Sequence, residues 1–294
     1  MMVLVVGATG FLGTEICREL VNHGHSVKGM IRASSDPQRI GSLKDIGATT
    51  VEGDLKDAPS IGAALEGVDE VVSTATATRS RSEGDGIESV DADGQRALIQ
   101  AAADAGVKHF VLVSLTGNIR SDDPLTSGKR RAEQALIDSG MTYTILRPSF
   151  FMEAWLSSSL GFDYANGRVQ IFGSGDQKIS WISLSDVARF AADVLENPSA
   201  ENATIELGGP DALSPNEVVE IFEQKSGRSF EIVRVPEEAL QVQSDMAEDS
   251  MSRTFAALSL GYAKGDVISM ESTLETYPMD LVSVEDYAAS VLRA

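Results

Sequence analysis

Three glycines spaced three residues apart, Gly7-Ala-Thr-Gly10-Phe-Leu-Gly13, follow directly on the apolar run Val3-Leu-Val-Val6. The run suits a buried strand, and each glycine then has its own use. Gly7 allows a tight exit turn, Gly10 lets backbone approach a pyrophosphate, and Gly13 lets the next helix lie close to the sheet. Phosphates would face the free N–H groups and positive dipole end of that helix. The order differs from the Gly-x-Gly-x-x-Gly of the commonest dinucleotide fingerprint, and alone it fits a plain turn before a helix equally well. The strand before it and the helix after it favour the nucleotide reading.

A second informative position is Arg32, which closes the strand Ser26-Val-Lys-Gly-Met-Ile31. Dinucleotide folds place Asp or Glu near this point to bind the adenosine ribose, and that acid would repel a 2′-phosphate. Here Arg32 is followed by Ala33-Ser34-Ser35 and Arg39. A guanidinium and hydroxyls suit a phosphate dianion, so the expected cofactor is NADP(H) in preference to NAD(H). The other reading is a solvated loop arginine.

Positioning these groups needs an alternation of strands and helices. A helix with Ile16, Leu20 and Val21 on one face ends at His23-Gly24. After the second strand come a helix from about Pro37 to Ile46 and a strand Thr49–Glu52 that turns at Gly53-Asp54-Leu55. Asp54 is placed either to hold an adenine edge or to serve as an N-cap or turn residue. A helix near Pro59–Glu66 precedes a strand Val68–Ala75, whose small Thr74 and Ala75 would let backbone lie along the cofactor. The stretch Thr76–Gly86 lacks periodicity and reads as a loop. A long helix with Val90, Ala97, Leu98 and Ala101 inward stops at Gly106, and a fifth strand spans Lys108–Leu115 with Ser114 near its end. His109, at that strand's entrance, is expected in a surface or capping role. The alternation predicts an α/β fold of the Rossmann type, a doubly wound parallel sheet with right-handed crossovers. Gly7, Arg32, Asp54, Thr74 and Ser114 all fall at carboxyl ends of strands, where such sheets bind ligands.

The net charge of −20 argues against direct binding of nucleic acid, which needs a basic footprint, and requires any phosphate site to be made locally. The acidic excess is spread along the chain, as on solvated faces, and would also suit a salt-rich cytoplasm. The single cysteine, Cys17, excludes an intramolecular disulfide and a multi-cysteine metal site, and its place on a helix suggests a buried, inert thiol; no metal is expected. No apolar run approaches the roughly 18 residues of a spanning helix, and the sequence opens on a core strand, so neither membrane insertion nor a signal peptide is expected and the location should be cytoplasmic.

Several of these residues, with Tyr143-Thr-Ile-Leu-Arg-Pro-Ser-Phe-Phe-Met152, Ser180-Trp-Ile-Ser-Leu-Ser-Asp186, Leu207-Gly-Gly-Pro210 and Tyr277-Pro-Met-Asp-Leu281, resemble an atypical short-chain dehydrogenase/reductase (SDR) of the NmrA-like group. That group includes isoflavone-reductase-like enzymes, quinone and triphenylmethane reductases and Ycf39-type assembly proteins. The resemblance implies NAD(P) contacts from Gly7, Thr9, Gly10, Phe11, Leu12, Gly13, Arg32, Asp54, Leu55, Thr74, Ala75, Ser114, Lys129, Pro148 and Phe150. Ordinary members of the superfamily carry a catalytic Tyr-x-x-x-Lys. Here the stretch is Leu125-Thr-Ser-Gly-Lys129, with the lysine retained and the tyrosine absent. By resemblance Lys129 is the catalytic candidate, bonding the nicotinamide ribose; the other reading is a solvated residue opening the helix Lys129-Arg-Arg-Ala-Glu-Gln-Ala-Leu136.

Hydride delivery to an isolated ketone makes a very basic alkoxide that needs a proton donor in place. A quinone, a conjugated acceptor or a cationic dye gives a delocalised or neutral product that needs less help. A site without its tyrosine therefore points to a small molecule of the second kind, with a non-catalytic NADP(H)-binding sensor or assembly protein, and hence a protein partner, as the alternative.

The core is expected over residues 1–150, completed by about 180–208, with a smaller, mostly helical substrate lobe from 151–179 and 209–294. Phe151, Met152 and Trp155, with Phe150, fit either an apolar wall for a flat substrate or core. A hairpin-like excursion is expected over Gly167–Gly175, an N-cap at Ser185-Asp186 for a helix Val187–Glu196, a strand Ala203–Leu207, a helix opened by Ser214-Pro215 and a strand Phe230–Val235, with the remainder mainly helical.

Overall fold

A computed structural model of the chain describes residues 1–80 and 83–293. Strand β1 (Met2–Val6) leads into helix α1 (Phe11–Asn22), then β2 (Ser26–Ile31), α2 (Pro37–Asp45), β3 (Thr49–Glu52), α3 (Ala58–Ala64) and β4 (Glu70–Ser73). A π-helical segment, Ile87–Ala92, runs into α4 (Asp93–Asp104), followed by β5 (His109–Val113), α5 (Pro124–Asp138) and β6 (Thr142–Pro148). Next come α6 (Met152–Trp155), β7 (Phe162–Asp163), β8 (Arg168–Phe172), α7 (Leu184–Glu196) and β9 (Ala203–Leu207). Helix α8 (Pro215–Ser226), strand β10 (Glu231–Val235) and helices α9 (Glu237–Met246), α10 (Ser250–Lys264), α11 (Glu271–Thr276) and α12 (Val284–Val291) follow.

The main sheet has seven strands in the order β3-β2-β1-β4-β5-β6-β9. Its ladders are parallel, with Val6 opposite both Met30 and Ser73, and Val113 opposite Leu146. The strand order reverses at β1, between β2 and β4, which is the switch point where ligands bind in doubly wound sheets. Helices on both faces explain why Val3–Val6 and Phe110–Leu112 are unbroken buried runs without alternation. Cys17 is buried among them on α1, and burial pushes its thiol up to about 12, so it is an unreactive packing group.

The chain divides into two compact units, one of residues 1–114, 124–147 and 187–205, the other of 115–123, 148–186 and 206–294. The second unit contains the three-stranded sheet β10-β8-β7, in which β8 runs parallel to β10 and antiparallel to β7. Its core gathers Trp181, Phe222, Phe162, Phe150 and Tyr262. The excursion expected over Gly167–Gly175 is thus one strand of this sheet, and its hairpin partner is β7 on its N-terminal side.

Three local expectations are corrected. Helix α5 opens at Pro124 instead of Lys129, which moves Lys129 into its second turn and under cover. Helix α7 opens at Leu184, and its N-terminal cap is Ser183, whose Oγ accepts the Asp186 N–H at 3.0 Å, in place of Ser185-Asp186. His109 is neither a surface nor a capping residue. It is buried, with Nε2 2.9 Å from Thr144 Oγ1, and burial lowers its pKa. Because the Thr144 hydroxyl donates to the Ala200 carbonyl at 2.7 Å, it must accept from His109, which fixes the proton on Nε2.

Candidate cofactor and active site

The glycine corner is built by close backbone approach. Gly7 has φ of 88°, in the left-handed region, and a Cβ there would lie 2.9 Å from Ala75 N across the switch point. A Cβ on Gly13 would lie 2.1 Å from Gly7 O, so only glycine lets α1 seat against the turn. Gly10 differs: a Cβ there would meet only Gly7 O, at 3.1 Å, and is otherwise in open space. Gly10 is also the N-cap of α1, and among the described residues no side chain caps that first turn. An open cradle below an uncapped helix N-terminus fits a pyrophosphate.

Around this cradle Thr9 O accepts from Arg39 Nη1 at 2.7 Å, and Leu12 is buried beneath. Phe11 is 53% exposed, and the guanidinium carbons of Arg39 and Arg79 lie 4.7 and 4.8 Å from its ring centroid. Both cations are drawn to the ring quadrupole at the N-terminal end of α1.

At the end of β2, Arg32 donates from Nη1 to Asp85 Oδ2, and Lys56 Nζ lies 2.5 Å from Asp85 Oδ1. Lys56 also bonds Asp54 Oδ2 at 2.9 Å. Asp54 is a turn residue: Oδ1 accepts the Lys56 N–H at 2.9 Å and the Asp54 carbonyl accepts the Asp57 N–H. Leu55 is buried beside it.

The backbone leaving β4 is pinned by two buried polar residues. Gln95 Nε2 donates to Ala75 O at 3.0 Å while its Oε1 accepts from Ser73 Oγ at 2.9 Å, and Asp91 Oδ2 accepts the Ala77 N–H at 2.8 Å. Thr74 donates its N–H to Val6 O. Lys129 meets the same group: Nζ is 3.2 Å from Asp91 Oδ1 and 3.5 Å from Ala75 O. Lys129 is 5% exposed, so the solvated alternative does not hold. Its ammonium is drawn to the strand end that carries Thr74 and Ala75. Leu125, one turn earlier, is also 5% exposed, so an apolar group fills the place of the absent tyrosine.

Ser114 directly follows β5 with its hydroxyl committed, since Oγ donates to Glu133 Oε1 at 2.5 Å. Glu133 is buried and also receives Arg130 Nη1 at 2.5 Å and Arg147 Nη2 at 2.6 Å. Burial pushes the Glu133 carboxyl up, but the bonds from Arg147 and Ser114 and the two guanidinium charges outweigh this and hold it below its ordinary value.

In the second unit, Pro148 closes β6, and its carbonyl accepts the Thr116 N–H at 3.1 Å. Phe150 and Met152 are buried in the core, whereas Phe151 and Trp155 are partly exposed. Trp155 stacks on Tyr262 at 5.4 Å between centroids, and Phe150 meets Trp155 edge-on at 4.9 Å. Asp266, 1% exposed, accepts from Thr116 Oγ1 at 2.9 Å, Asn118 Nδ2 at 2.7 Å and Ser149 Oγ at 2.7 Å. This carboxylate ties the stretches that follow β5 and β6 to the end of α10.

Asp91, Gln95, Lys56, Asp85 and Glu133 were not singled out from the sequence. Asp91 and Gln95 carried a signal, since they are polar groups that share with the apolar Leu98 the i, i+4, i+7 inward stripe of a helix. Asp85, in an aperiodic loop, carried none.

Among the described residues no helix is long and apolar enough to cross a membrane. The chain is 32% identical over 272 residues, 90% of each chain, to an NAD(P)H azoreductase of Xenophilus azovorans. It is 33% identical over 242 residues, 80% of this chain and 71% of the relative, to the photosystem II assembly factor Ycf39 of Synechocystis sp.. Its fold is similar to that of an Escherichia coli NADPH-dependent quinone oxidoreductase solved with NADPH, with a TM-score of 0.79 over 99% of both chains at 24% identity. The sequence profile of the NmrA-like family matches residues 1–288, and the chain belongs to that family.

Proposed function

We propose that the chain is an NADPH-dependent reductase that transfers hydride to a small conjugated acceptor, a quinone or a dye-like compound. The observation that carries this reading is the site around Lys129: a buried ammonium at the switch point, with Leu125 where a phenol would stand and the Ser114 hydroxyl turned to Glu133. No side-chain hydroxyl at these two positions is free to protonate an alkoxide. An acceptor whose reduced form spreads its charge over a ring or an azo linkage tolerates that lack. The 32% identity to an NAD(P)H azoreductase is consistent with such acceptors.

NADPH, when bound, supplies the hydride. Gly10 and the α1 N-terminus would take the pyrophosphate, Arg32 the 2′-phosphate, and the backbone at Thr74 and Ala75 would line the crevice. Lys129 would bond the nicotinamide ribose and place positive charge near the forming anion, with Asp91 fixing its position. Phe151 and Trp155, the partly exposed members of the aromatic group, would offer flat faces to the acceptor. The preference for NADP(H) over NAD(H) rests on Arg32 at the place of the usual ribose-binding acid. The test is steady-state NADPH and NADH oxidation with quinones, azo dyes and simple ketones. Turnover of ketones but not quinones or dyes would overturn the assignment.

The 33% identity to an assembly factor favours a second reading, a non-catalytic NADP(H)-binding protein that acts through a protein partner. Tight NADPH binding with no turnover on any acceptor would select it.

A further inference from the structure

Asp85 stands in the loop between β4 and the π-helical segment, yet its side chain is only 2% exposed. Three donors converge on this one carboxylate: Arg32 Nη1, Lys56 Nζ and Ser80 Oγ. A guanidinium, an ammonium and a hydroxyl form the donor set that a phosphate monoester takes. Burial works to raise the Asp85 pKa, but the bonds from Lys56, Ser80 and Arg32 outweigh it and hold the group at about 2, so it is an anion at any working pH. The carboxylate therefore fills the cation pair as a phosphate would.

We propose that Asp85 is a cofactor-specificity residue: seated on Arg32 and Lys56 it occupies the place of a 2′-phosphate, so NADPH binds by exchanging with it, whereas NADH binds with it in place. This rests on the reading of Arg32 as the 2′-phosphate group. With Asp54 and Asp85 both present, the charges of Arg32 and Lys56 are already balanced. A dianionic phosphate added to that balanced set is repelled, and one that replaces Asp85 is not. The 2′-hydroxyl of NADH can instead donate to a seated carboxylate. That is the part played elsewhere by the acid at the end of the second strand, which this chain lacks. Asp85 supplies the acid from the loop, and its departure uncovers the cations.

The experiment measures the Kd of the full chain for NADPH and for NADH by equilibrium titration, in wild type, Asp85→Asn, Ser80→Ala and Arg32→Ala. Asp85→Asn keeps an acceptor for Arg32 but removes the competing charge. It is expected to tighten NADPH about tenfold or more while leaving NADH unchanged or weaker. Ser80→Ala, which loosens the seat, shifts the ratio the same way by less. Equal changes for both cofactors, or no gain for NADPH in either variant, would overturn the role of Asp85. If Arg32→Ala leaves NADPH affinity untouched, the phosphate reading of Arg32 falls first and the proposal with it.

Discussion

Asp91 Oδ1 lies 3.2 Å from Lys129 Nζ, and the two side chains are 0% and 6% exposed. Oδ2 accepts a backbone N–H, whereas Oδ1 has no hydrogen bond of good geometry among the described residues and meets the ammonium by charge alone. Neither partner is readily replaced by water. Asp91→Ala therefore strands a buried ammonium and should cost about 3–5 kcal/mol. In Asp91→Ala/Lys129→Met both charges are gone, so the double variant should be more stable than Asp91→Ala alone, although its turnover stays low. Lys129→Met by itself should lower turnover by about a hundredfold or more. Urea unfolding of the three variants reads this directly, and strictly additive losses would show that the pair is not coupled.

The glycines of the corner separate folding from binding. Gly13→Ala drives a Cβ to 2.1 Å from Gly7 O, so α1 must move off the sheet, and a large loss of stability or of soluble protein is expected. Gly10→Ala meets only Gly7 O at 3.1 Å, and its stability should stay within about 1 kcal/mol of wild type. The added methyl fills the cradle, however, and NADPH affinity should fall at least tenfold, a change of about 1.4 kcal/mol. A Gly10→Ala variant that binds NADPH like wild type would remove the pyrophosphate from this site.

These two sites differ in how far they could be read in advance. Gly7, Gly10 and Gly13 are contiguous and each has a local backbone reason, so both the turn and the strand order that follows from alternation were legible. The Asp91–Lys129 pair joins residues 38 positions apart through a fold-dependent approach of the π-helical segment to α5, and no local pattern encodes it. A histidine at a strand entrance is usually wet, and nothing local marks His109 as buried, because the Thr144 hydroxyl that satisfies it lies on the neighbouring strand. The start of α5 is less legible: Pro124 suits the first helical turn, but the charged run after Lys129 carries the stronger local helix signal.

Glu133 carries the charge balance at the end of β5. Its removal in Glu133→Ala leaves the Arg130 and Arg147 guanidiniums without their shared carboxylate, at a cost of about 3–5 kcal/mol. Glu133→Gln keeps the shape but not the charge and should lose less. The pH dependence has a definite sign. The folded-state pKa lies below the ordinary 4.5, so near that pH the unfolded chain takes up the proton first. The stabilisation is complete above 4.5 and is lost as pH falls through the lowered folded value. Stability curves of wild type and Glu133→Gln should therefore run apart at neutral pH and converge in acid. Parallel curves down to pH 2 would mean that this carboxylate is not the one titrating.

Glu70, at the start of β4, works in the opposite direction. It is buried with Oε2 lacking a hydrogen-bond partner among the described residues. Burial, reinforced by the charge of Asp69, raises its pKa above the ordinary 4.5. The folded chain then holds this proton longer than the unfolded chain, so stability falls as pH rises from 4.5 through the folded value, and the full penalty is present above it. Glu70→Gln removes the buried charge and should raise the melting temperature at pH 7, with the advantage shrinking as pH drops through the raised folded value towards 4.5. The order of this chain's acid responses follows: acidification first relieves Glu70 and only at lower pH disarms Glu133. Differential scanning calorimetry of the Glu70→Gln and Glu133→Gln variants across pH 3–8 should show their differences from wild type with opposite signs at neutral pH, and a shared sign would contradict one of the two assignments.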